Sequence, residues 1–368
     1  MNANPGIPLN IYVNAKFLTK PITGLERYAL ELSLATQNYQ NDLIFLSPRK
    51  NFSDTHYDLS QLNIFPVGSS KNYFWEQIEL PLYLLKNKKP LLVNMTNTAP
   101  VIYRNQVTVI HDLAFMHNPD WYSRKAWLFF SWIVKQSAKA SKHIITVSNF
   151  SKSEIQKYLH IPSERITVIP EGISSTILSL SENEYPNAWG NYILAVATLE
   201  PRKNLVNLIK AFLKAGVDDY KLLIVGSSNS TVFNNPELDE FRKNNCIIFL
   251  GYVNDLILTG LYKNAKLFTY ISHYEGFGIP PLEALVSGCP VLASNVSSIP
   301  EILGEFAEYC NPCDVDDISG KIKKMIQMGR RVSKEEIEKI SRKYDWEKSA
   351  LLFLQTIRKI YSGDGRIK

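Results

Sequence analysis

The chain has 368 residues, which indicates two or three domains and excludes a single small module. Hydrophobic residues make up 45% and charged residues 21%, and this balance excludes a wholly disordered, collagen-like or coiled-coil protein. The formal net charge of +6 favours anionic partners, such as phosphorylated small molecules or an acidic membrane surface, over a nucleic acid.

Targeting signals and membrane spans are not evident in the sequence. Residues 1–17 lack a basic region that leads into an apolar core and a cleavage site, so we expect no secretory signal and a cytoplasmic location. The uncharged stretch Ala126–Val134 is too short to span a bilayer, and Leu285–Pro300 is interrupted by glycine and proline. We therefore expect any membrane contact to be peripheral, on the inner face of the cytoplasmic membrane.

In the first half of the chain, short apolar runs alternate with segments of helical period. From Leu25 onward, apolar residues recur with the spacing i, i+3, i+4 and i+7, which predicts an amphipathic helix. This alternation is typical of a parallel sheet covered by helices, so we predict a Rossmann-like domain over residues 1–182. The predicted strands are Leu9–Ala15, Leu43–Leu46, Leu91–Asn94, Val107–Ile110 and His143–Val147.

A second domain of the same type is predicted over residues 191–345. The polar, turn-rich segment Ser181–Gly190 indicates a linker before it, and the last helix, Trp346–Tyr361, carries an apolar face that must dock on another element. Because open α/β sheets bind ligands at the carboxyl ends of their strands, we expect the chemistry in a cleft between the two domains. The predicted strands of the second domain are Tyr192–Ala197, Leu222–Val225, Ile247–Leu250, Leu267–Tyr270 and Val291–Ala293.

The segment Tyr274–Ala284, YEGFGIPPLEA, is the most informative part of the sequence because it follows a predicted strand and leads into a helix. Backbone amides at the helix start, around Phe277, Gly278 and Ile279, would form an anion site suited to a diphosphate. Glu283, expected in the first helical turn, could accept hydrogen bonds from the hydroxyls of a ribose. By residue chemistry alone, carboxylates near a helix start could equally serve only to cap the helix.

Other polar residues follow predicted strands at the same edges. Arg202 and Lys203 come after the strand Tyr192–Ala197, where two cations could neutralise a departing diphosphate; the alternative is a solvated basic helix start. His111 ends the strand Val107–Ile110, although a lone histidine is more often structural. Gly24 would let backbone amides at a helix start approach a phosphate or an acceptor.

Two patterns that could bind a metal are interpreted as structural. Asp314-Val315-Asp316 stands immediately before an amphipathic helix, where aspartates cap the helix start. Cys310 and Cys313 form a CxxC pair without a second pair of ligands, and four cysteines form no disulfide framework. We therefore predict no metal site and reduced thiols.

The segment Ser123–Lys142 combines tryptophans and phenylalanines with arginine and lysines. A basic aromatic helix can lie on an anionic membrane. A helix that covers a sheet would show similar apolar residues, so both interpretations remain open at this point.

Two glutamates, Glu275 and Glu283, enclose a GFG-P-LEA core that resembles the signature of glycosyltransferase family 4. The resemblance extends over nearly the whole chain, through NAKFLTKPITGLERYALEL, VIHDLAF, VSNFSKSEI, VATLEPRKNL and an ending similar to YDWEKSA. It implies the GT-B fold, an α/β architecture of two facing Rossmann-like domains, with the C-terminal segment 346–368 as a helix that crosses back to the first domain.

The resemblance also implies a reaction and its site. The expected reaction is metal-independent sugar transfer from a nucleotide donor with retention of anomeric configuration. Glu275 would contact the transferred sugar, Glu283 the donor ribose, and His111 would lie beside the sugar. Many family members carry Gly-Arg where this chain has Val196-Ala197, so Arg202 and Lys203 would bear the cationic load. Donor-binding loops around Gly226 and Gly251–Val253 would hold the base.

The segments FLTKPITGLERYALEL and LEPRKNL are similar to those of bacterial mannosyl- and rhamnosyltransferases that build O-antigen or capsule. This likeness implies a hexosyltransferase that uses GDP-mannose and a glycan or lipid-linked glycan acceptor. The alternatives are a UDP- or dTDP-sugar donor, as in a rhamnosyltransferase, a sugar-nucleotide epimerase, and a catalytically silent subunit that binds a sugar nucleotide. The glutamate pair argues against the epimerase, and the full set of polar groups argues against the silent subunit.

Overall fold

Two parallel sheets organise the chain. A computed structural model describes residues 11–49, 57–179, 188–226 and 236–363. The described residues up to Gly172, together with those from Asp345 onward, form the first compact unit, and Ile173–Tyr344 forms the second. The predicted N-terminal segment of the first strand and most of the predicted linker, residues 181–187, lie outside the described residues.

The first unit contains a seven-stranded parallel sheet in the order β3-β2-β1-β4-β5-β6-β7. The first six positions follow the strand order of the Rossmann fold. Strands β4 and β5 at its centre are buried along their whole length, as expected when helices cover both faces of a sheet. The strands are β1 Ile11–Asn14, β2 Ile44–Ser47, β3 Asn63–Pro66, β4 Leu91–Asn94, β5 Gln106–Val109, β6 His143–Thr146 and β7 Ile166–Val168.

Helices connect these strands, so that each crossover returns the chain to the same edge of the sheet. Between α2 and α3 the helix continues through a π-helical turn, Trp75–Glu79. The helices are α1 Gly24–Gln37, α2 Asn72–Phe74, α3 Leu80–Lys86, α4 Ala114–His117, α5 Arg124–Ala140 and α6 Asn149–Leu159.

The second unit repeats this topology in a six-stranded parallel sheet of order β10-β9-β8-β11-β12-β13. Its strands are β8 Tyr192–Val196, β9 Lys221–Val225, β10 Ile247–Gly251, β11 Leu267–Tyr270, β12 Val291–Ser294 and β13 Glu308–Cys310. The unit's helices are α7 Ser175–Ser179, α8 Leu205–Lys214, α9 Pro236–Phe241, α10 Asp255–Asn264, α11 Ile279–Val286, α12 Ile299–Leu303, α13 Val315–Met328 and α14 Lys334–Lys343. Helix α7 contacts α10 and α11 of the second unit. The first unit therefore ends at Gly172, before α7, and not at residue 182 as the sequence predicts.

The last helix, α15 Trp346–Tyr361, belongs to the first unit. Its Ser349 hydroxyl donates to the Pro170 carbonyl at 2.8 Å, and the Trp346 ring meets Tyr28 edge-on at 5.6 Å. A Cβ on Gly172 would lie 2.5 Å from the Trp346 backbone nitrogen, so a residue with a side chain does not fit at this position. The helix packs against α1, and its predicted apolar face is buried except for Tyr361, which is exposed.

The ten predicted strands are all present, and in the described part of the chain their ends are shifted by at most one residue. The structure adds β3, β7 and β13, which the apolar runs do not predict. Each lies at the edge of its sheet and has three or four residues. An edge strand has one neighbour and stays partly exposed, so it needs fewer apolar residues and leaves a weaker sequence pattern.

Helix α5 resolves the two interpretations of Ser123–Lys142 only in part. Ile133, Val134 and Ala138 are buried in the core of the first unit, whereas Leu128 and Trp132 are exposed. The helix therefore packs on the sheet and also presents apolar side chains to solvent. Among the described helices, none has the length and hydropathy needed to cross a membrane.

Candidate functional site

Glu275, Arg202 and Lys203 converge at the carboxyl edge of the second sheet. Glu275 follows β11 and the two cations follow β8, and the strand order reverses between these two neighbouring strands. Arg202 Nη1 lies 3.0 Å from Glu275 Oε2, and Lys203 Nζ lies 2.7 Å from Glu275 Oε1. The reversal point of an open α/β sheet is where loops diverge and ligands bind, so topology alone places this cluster at a candidate site.

The cluster is largely but not completely shielded from solvent. The side chains of Glu275, Arg202 and Lys203 are 8%, 14% and 13% exposed. Burial by itself would raise the pKa of Glu275, but Lys203 and Arg202 outweigh burial and lower that pKa to about 2. Burial lowers the pKa of Lys203, and the neighbouring carboxylate opposes that shift. Glu275 is thus an ionised hydrogen-bond acceptor throughout the neutral range.

Further contacts fix the two cations. Arg202 Nη1 also donates to the Tyr274 carbonyl at 3.0 Å, and Arg202 Nη2 lies 3.3 Å from the carboxylate of Glu200. Lys203 Nζ donates to the Tyr270 hydroxyl at 3.2 Å. The predicted alternative, a solvated basic helix start, does not describe these residues, because both cations are held against Glu275.

The loop after β11 turns into α11 at Gly278, as its sequence predicts. Gly278 precedes the helix with φ at 101°, a conformation that side chains with a Cβ rarely adopt. Ile279 is the first helical residue, and prolines follow it within the first turn. Phe277 is buried and meets the Tyr344 ring edge-on at 5.6 Å. The backbone amides of Gly278 and Ile279, at this helix start, follow Glu275 closely in the sequence.

Glu283 lies in the second turn of α11, not in the first turn as predicted. The helix begins at Ile279 because Gly278 takes a left-handed conformation, so the fifth helical residue is Glu283. Its carboxylate is buried and accepts a hydrogen bond from the Tyr262 hydroxyl at 3.1 Å. A helix-capping role does not fit this position.

Two serines that the sequence analysis did not select hold the Glu275 loop. The Ser297 hydroxyl accepts a hydrogen bond from the Glu275 backbone nitrogen at 3.0 Å. Ser298 donates to the carbonyls of Glu275 and Phe277, at 2.9 and 3.0 Å. These serines follow β12, so the rule that selected Arg202 and Glu275, polar residues after a parallel strand, would also have selected them.

Asn204 is a third residue that the sequence analysis missed. Its buried amide donates to the carbonyls of Ile271 and Pro312, at 3.0 and 2.7 Å, so it ties the loop after β8 to the loops after β11 and β13. Val253 is half-buried in the connection between β10 and α10. Residues 227–235, beside Gly226, lie outside the described residues.

His111 and Gly24 belong to the first unit. His111 follows β5 and is buried, and burial lowers its pKa. Its Nε2 lies 3.0 Å from the Met95 carbonyl, so this nitrogen carries the proton, while its own carbonyl accepts from Ser151 at 2.8 Å. Gly24 is the first residue of α1, and a Cβ there would meet no described atom within 4 Å. The fold itself therefore does not require glycine at that position.

A buried polar cluster follows β1 and β4, at the corresponding reversal point of the first sheet. Lys16 Nζ lies 2.6 Å from Glu76 Oε1, and both side chains are almost fully buried. Asn14 and Thr98 also donate to the Glu76 carboxylate, at 3.0 and 2.9 Å. Burial lowers the pKa of Lys16. Neither member of this ion pair was selected from the sequence.

The patterns that resembled metal sites have structural roles. Asp314 caps α13 by accepting hydrogen bonds from the backbone nitrogens of Asp316 and Asp317, which confirms the capping prediction. All four cysteines are free thiols, also as predicted. In the part of the chain that the structure describes, no three His, Cys, Asp or Glu side chains are grouped so that they could hold a metal ion.

Two family models match the chain. The model described as Glycosyltransferase Family 4 matches residues 22–176, and the model described as Glycosyl transferases group 1 matches residues 181–344. Each match covers most of one structural unit. They correspond to the family whose signature the Glu275 segment resembles.

Curated relatives have similar sequences. O-antigen chain mannosyltransferase B of Escherichia coli is 34% identical over 60% of this chain and 61% of its own length. O-antigen chain mannosyltransferase RfbU of Salmonella typhimurium is 32% identical over 71% of each chain. The match thus spans less than two thirds of the first relative and somewhat more than two thirds of the second.

A solved structure has the same fold. Sucrose-phosphate synthase from Thermosynechococcus elongatus superposes with a TM-score of 0.71 over 96% of this chain and 99% of its own, at 16% identity. At that identity the likeness concerns the fold alone. It confirms the predicted α/β class and the GT-B fold with two Rossmann-like domains.

Proposed function

The chain belongs to glycosyltransferase family 4, and we propose that it is a retaining hexosyltransferase that moves a sugar from a nucleotide donor to a glycan acceptor. The observation that carries this proposal is the cluster of Glu275, Arg202 and Lys203 at the reversal point of the second sheet. It sets two cations beside one carboxylate, close in sequence to a helix start. This arrangement suits a sugar diphosphate, which presents both hydroxyls and negative charge.

Glu275 would bind and orient the sugar. A carboxylate with a pKa of about 2 accepts hydrogen bonds from hydroxyls but is a weak base at neutral pH. Deprotonation of the acceptor by Glu275 is therefore disfavoured. We propose front-face transfer, in which the acceptor oxygen attacks on the face that the diphosphate leaves, and a diphosphate oxygen takes the acceptor proton. The role of His111, which lies in the first unit, stays a prediction from the family resemblance.

Arg202, Lys203 and the backbone amides at Gly278 and Ile279 would take up the charge of the departing diphosphate. An ammonium has three N–H donors, and the described contacts of Lys203 occupy two of them. Arg202 keeps its guanidinium fixed against Glu275 and the Tyr274 carbonyl. Because fixed cations can stabilise this charge, we propose that transfer needs no metal cofactor. Glu283 would bind the donor ribose, with Phe277 and Val253 in the surrounding donor loops.

The names of the relatives support mannose as the transferred sugar and GDP-mannose as the donor. Both curated relatives described above are O-antigen mannosyltransferases. We propose that the acceptor is a glycan or lipid-linked glycan in surface polysaccharide synthesis. Cytoplasmic location remains a prediction from the sequence. A UDP- or dTDP-sugar donor, as in a rhamnosyltransferase, is the alternative within the same reaction class.

The test begins with donor binding. Thermal denaturation of the purified protein should shift upward with GDP and GDP-mannose more than with UDP, dTDP or their sugars, since a ligand at a hundred times its Kd stabilises by about 2.7 kcal/mol. Transfer from the binding donor to a lipid-linked glycan and to the same glycan without lipid is then followed by NMR. We expect the anomeric configuration of the donor to be kept and the rate to be unchanged by EDTA.

A matched pair of variants tests the role of Glu275. Glu275→Gln should abolish most transfer, whereas Glu308→Gln, which also removes a carboxylate paired with two lysines, should leave transfer unchanged. Equal activity in both variants would contradict the assigned site. Conversion of the donor without acceptor would indicate an epimerase instead, and donor binding without turnover would indicate a silent subunit.

A further inference from the structure

An exposed apolar stripe runs along the helical segment from α2 through the π-helical turn to α3. Phe74, Ile78, Leu82 and Leu85 are 62%, 44%, 50% and 43% exposed. Their spacing of four, four and three residues puts them on one side of the helix. A helix that only covers a sheet has polar residues on its outer side, so a row of four large apolar side chains needs another explanation.

The opposite side of this segment is fixed to the first unit. Trp75 is fully buried and donates to the Val67 carbonyl at 2.7 Å, and Glu76 pairs with buried Lys16 at 2.6 Å. Glu79 accepts hydrogen bonds from the backbone and hydroxyl of Ser70 at 3.1 and 2.8 Å. Both carboxylates of the segment are thus held by the protein, and the apolar stripe is kept facing outward.

Helix α5, which neighbours this segment, also exposes apolar side chains. The Tyr73 and Phe129 rings meet edge-on at 4.6 Å, so the two helical segments are neighbours. Next to Phe129 in the sequence, Leu128 is exposed, and Trp132 one turn further is 55% exposed. We define the docking face as Phe74, Ile78, Leu82, Leu85, Leu128 and Trp132.

Basic residues accompany the docking face. Lys125, Lys135 and Lys139 have the spacing that puts them on the same side of α5 as Leu128 and Trp132. Residues 123–142 contain five basic residues and no acidic residue. The helical segment of the stripe begins after exposed Lys71 and ends in a group of exposed lysines, which are Lys86, Lys88 and Lys89.

We propose that the docking face binds the surface of an anionic lipid bilayer, with its apolar side chains among the headgroups and its lysines at the lipid phosphates. The charge distribution favours this occupant over a second copy of the chain. A symmetric contact between two copies would set the same lysines against each other, whereas an anionic leaflet attracts all of them. The face lies in the first unit, so the proposal does not depend on the donor site of the second.

The test is co-sedimentation of the full chain with vesicles of phosphatidylcholine alone and of phosphatidylcholine with 30% phosphatidylglycerol. We expect binding to the anionic vesicles, weakened by 0.5 M salt, and little binding to the neutral ones. The double variant Phe74→Gln/Leu82→Gln should lower the partition coefficient about tenfold or more, because two inserted side chains are lost. Lys125→Gln/Lys135→Gln should lower it about tenfold at low salt and less at high salt.

Matched variants keep the result interpretable. Leu351→Gln and Met328→Gln change apolar side chains that are similarly exposed elsewhere, at 49% and 61%, and should bind vesicles as the wild type does. Brominated lipids should quench tryptophan fluorescence in the wild type more than in Trp132→Phe. Equal binding to neutral and anionic vesicles, or no loss in the double variant, would overturn the proposal. A wild-type dimer that the double variant dissociates, without vesicle binding, would assign the face to a second copy.

Discussion

The two units place ion-paired clusters at equivalent points of the same topology, yet the clusters differ in exposure. In the first unit, Lys16 and Glu76 form a pair that is 3% and 0% exposed. In the second, Glu275 is shared by Arg202 and Lys203, whose side chains are 14% and 13% exposed. The first cluster is closed, whereas the second, which also includes the Glu200 carboxylate beside Arg202, remains within reach of solvent.

This difference separates a structural from a functional use of the same position in a Rossmann-like sheet. A balanced, fully buried pair has its hydrogen-bonding groups satisfied within the protein and leaves no charge for a ligand. The side chains of Arg202 and Lys203 stay partly exposed, so they can still bind an incoming diphosphate. The comparison predicts that substitutions in the first cluster change stability and that substitutions in the second change activity.

The largest expected effect is the loss of stability in Lys16→Met. Removal of the cation leaves Glu76 buried without its ion partner, which should cost about 3–5 kcal/mol of unfolding free energy. Urea unfolding, with hydrogen exchange to identify the unit that opens, measures this loss. Lys20→Met changes a half-buried lysine in the same loop and should have little effect.

The double variant Lys16→Met/Glu76→Leu sharpens this prediction. It removes both charges, so it should be more stable than Lys16→Met alone. A single variant as stable as the wild type would show that the pair contributes nothing, and the contrast between the two clusters would fail.

Lys203→Ala is expected to have the next largest effect, and on activity. Loss of one fixed cation beside the departing diphosphate should reduce turnover about 100- to 1000-fold, or roughly 3–4 kcal/mol of transition-state stabilisation. Steady-state transfer kinetics measure it. Lys210→Ala serves as the control and should retain full turnover. Lys210 lies in α8, shortly after Lys203 in the sequence, and forms an exposed ion pair with Glu237. Turnover within threefold of the wild type in Lys203→Ala would refute its assigned role.

The sequence was sufficient to predict those parts of the structure that local pattern determines. Apolar runs mark all ten predicted strands, including the edge strand β10, whereas the other edge strands, β3, β7 and β13, carry too few apolar residues to stand out. In the site, the positions after β8 and β11 marked Arg202, Lys203 and Glu275, although their ion pairs could not be read from the sequence.

Contacts between distant segments were not predictable in the same way. Lys16 and Glu76 are 60 residues apart, and nothing in the local pattern of either segment indicates the other. Tyr262 donates to Glu283, but in the sequence it simply fits the apolar pattern of its helix. That pattern gives no sign that its hydroxyl has a polar partner. Such pairs follow from the packing of complete elements, which local periodicity does not determine.

The smallest effect is expected for Ser298→Ala, which tests whether the open cluster depends on its supporting loop. The lost hydroxyl leaves two buried carbonyls, those of Glu275 and Phe277, without this donor, at a cost of about 1–2 kcal/mol. Because the loop carries Glu275, kcat should fall several-fold while Ser298→Thr, which keeps a hydroxyl, retains most activity. Ser341→Ala removes a comparable hydroxyl on α14 and should leave kcat unchanged. Equal kcat in the Ser298→Ala variant and the wild type would mean that the ion pairs alone position Glu275.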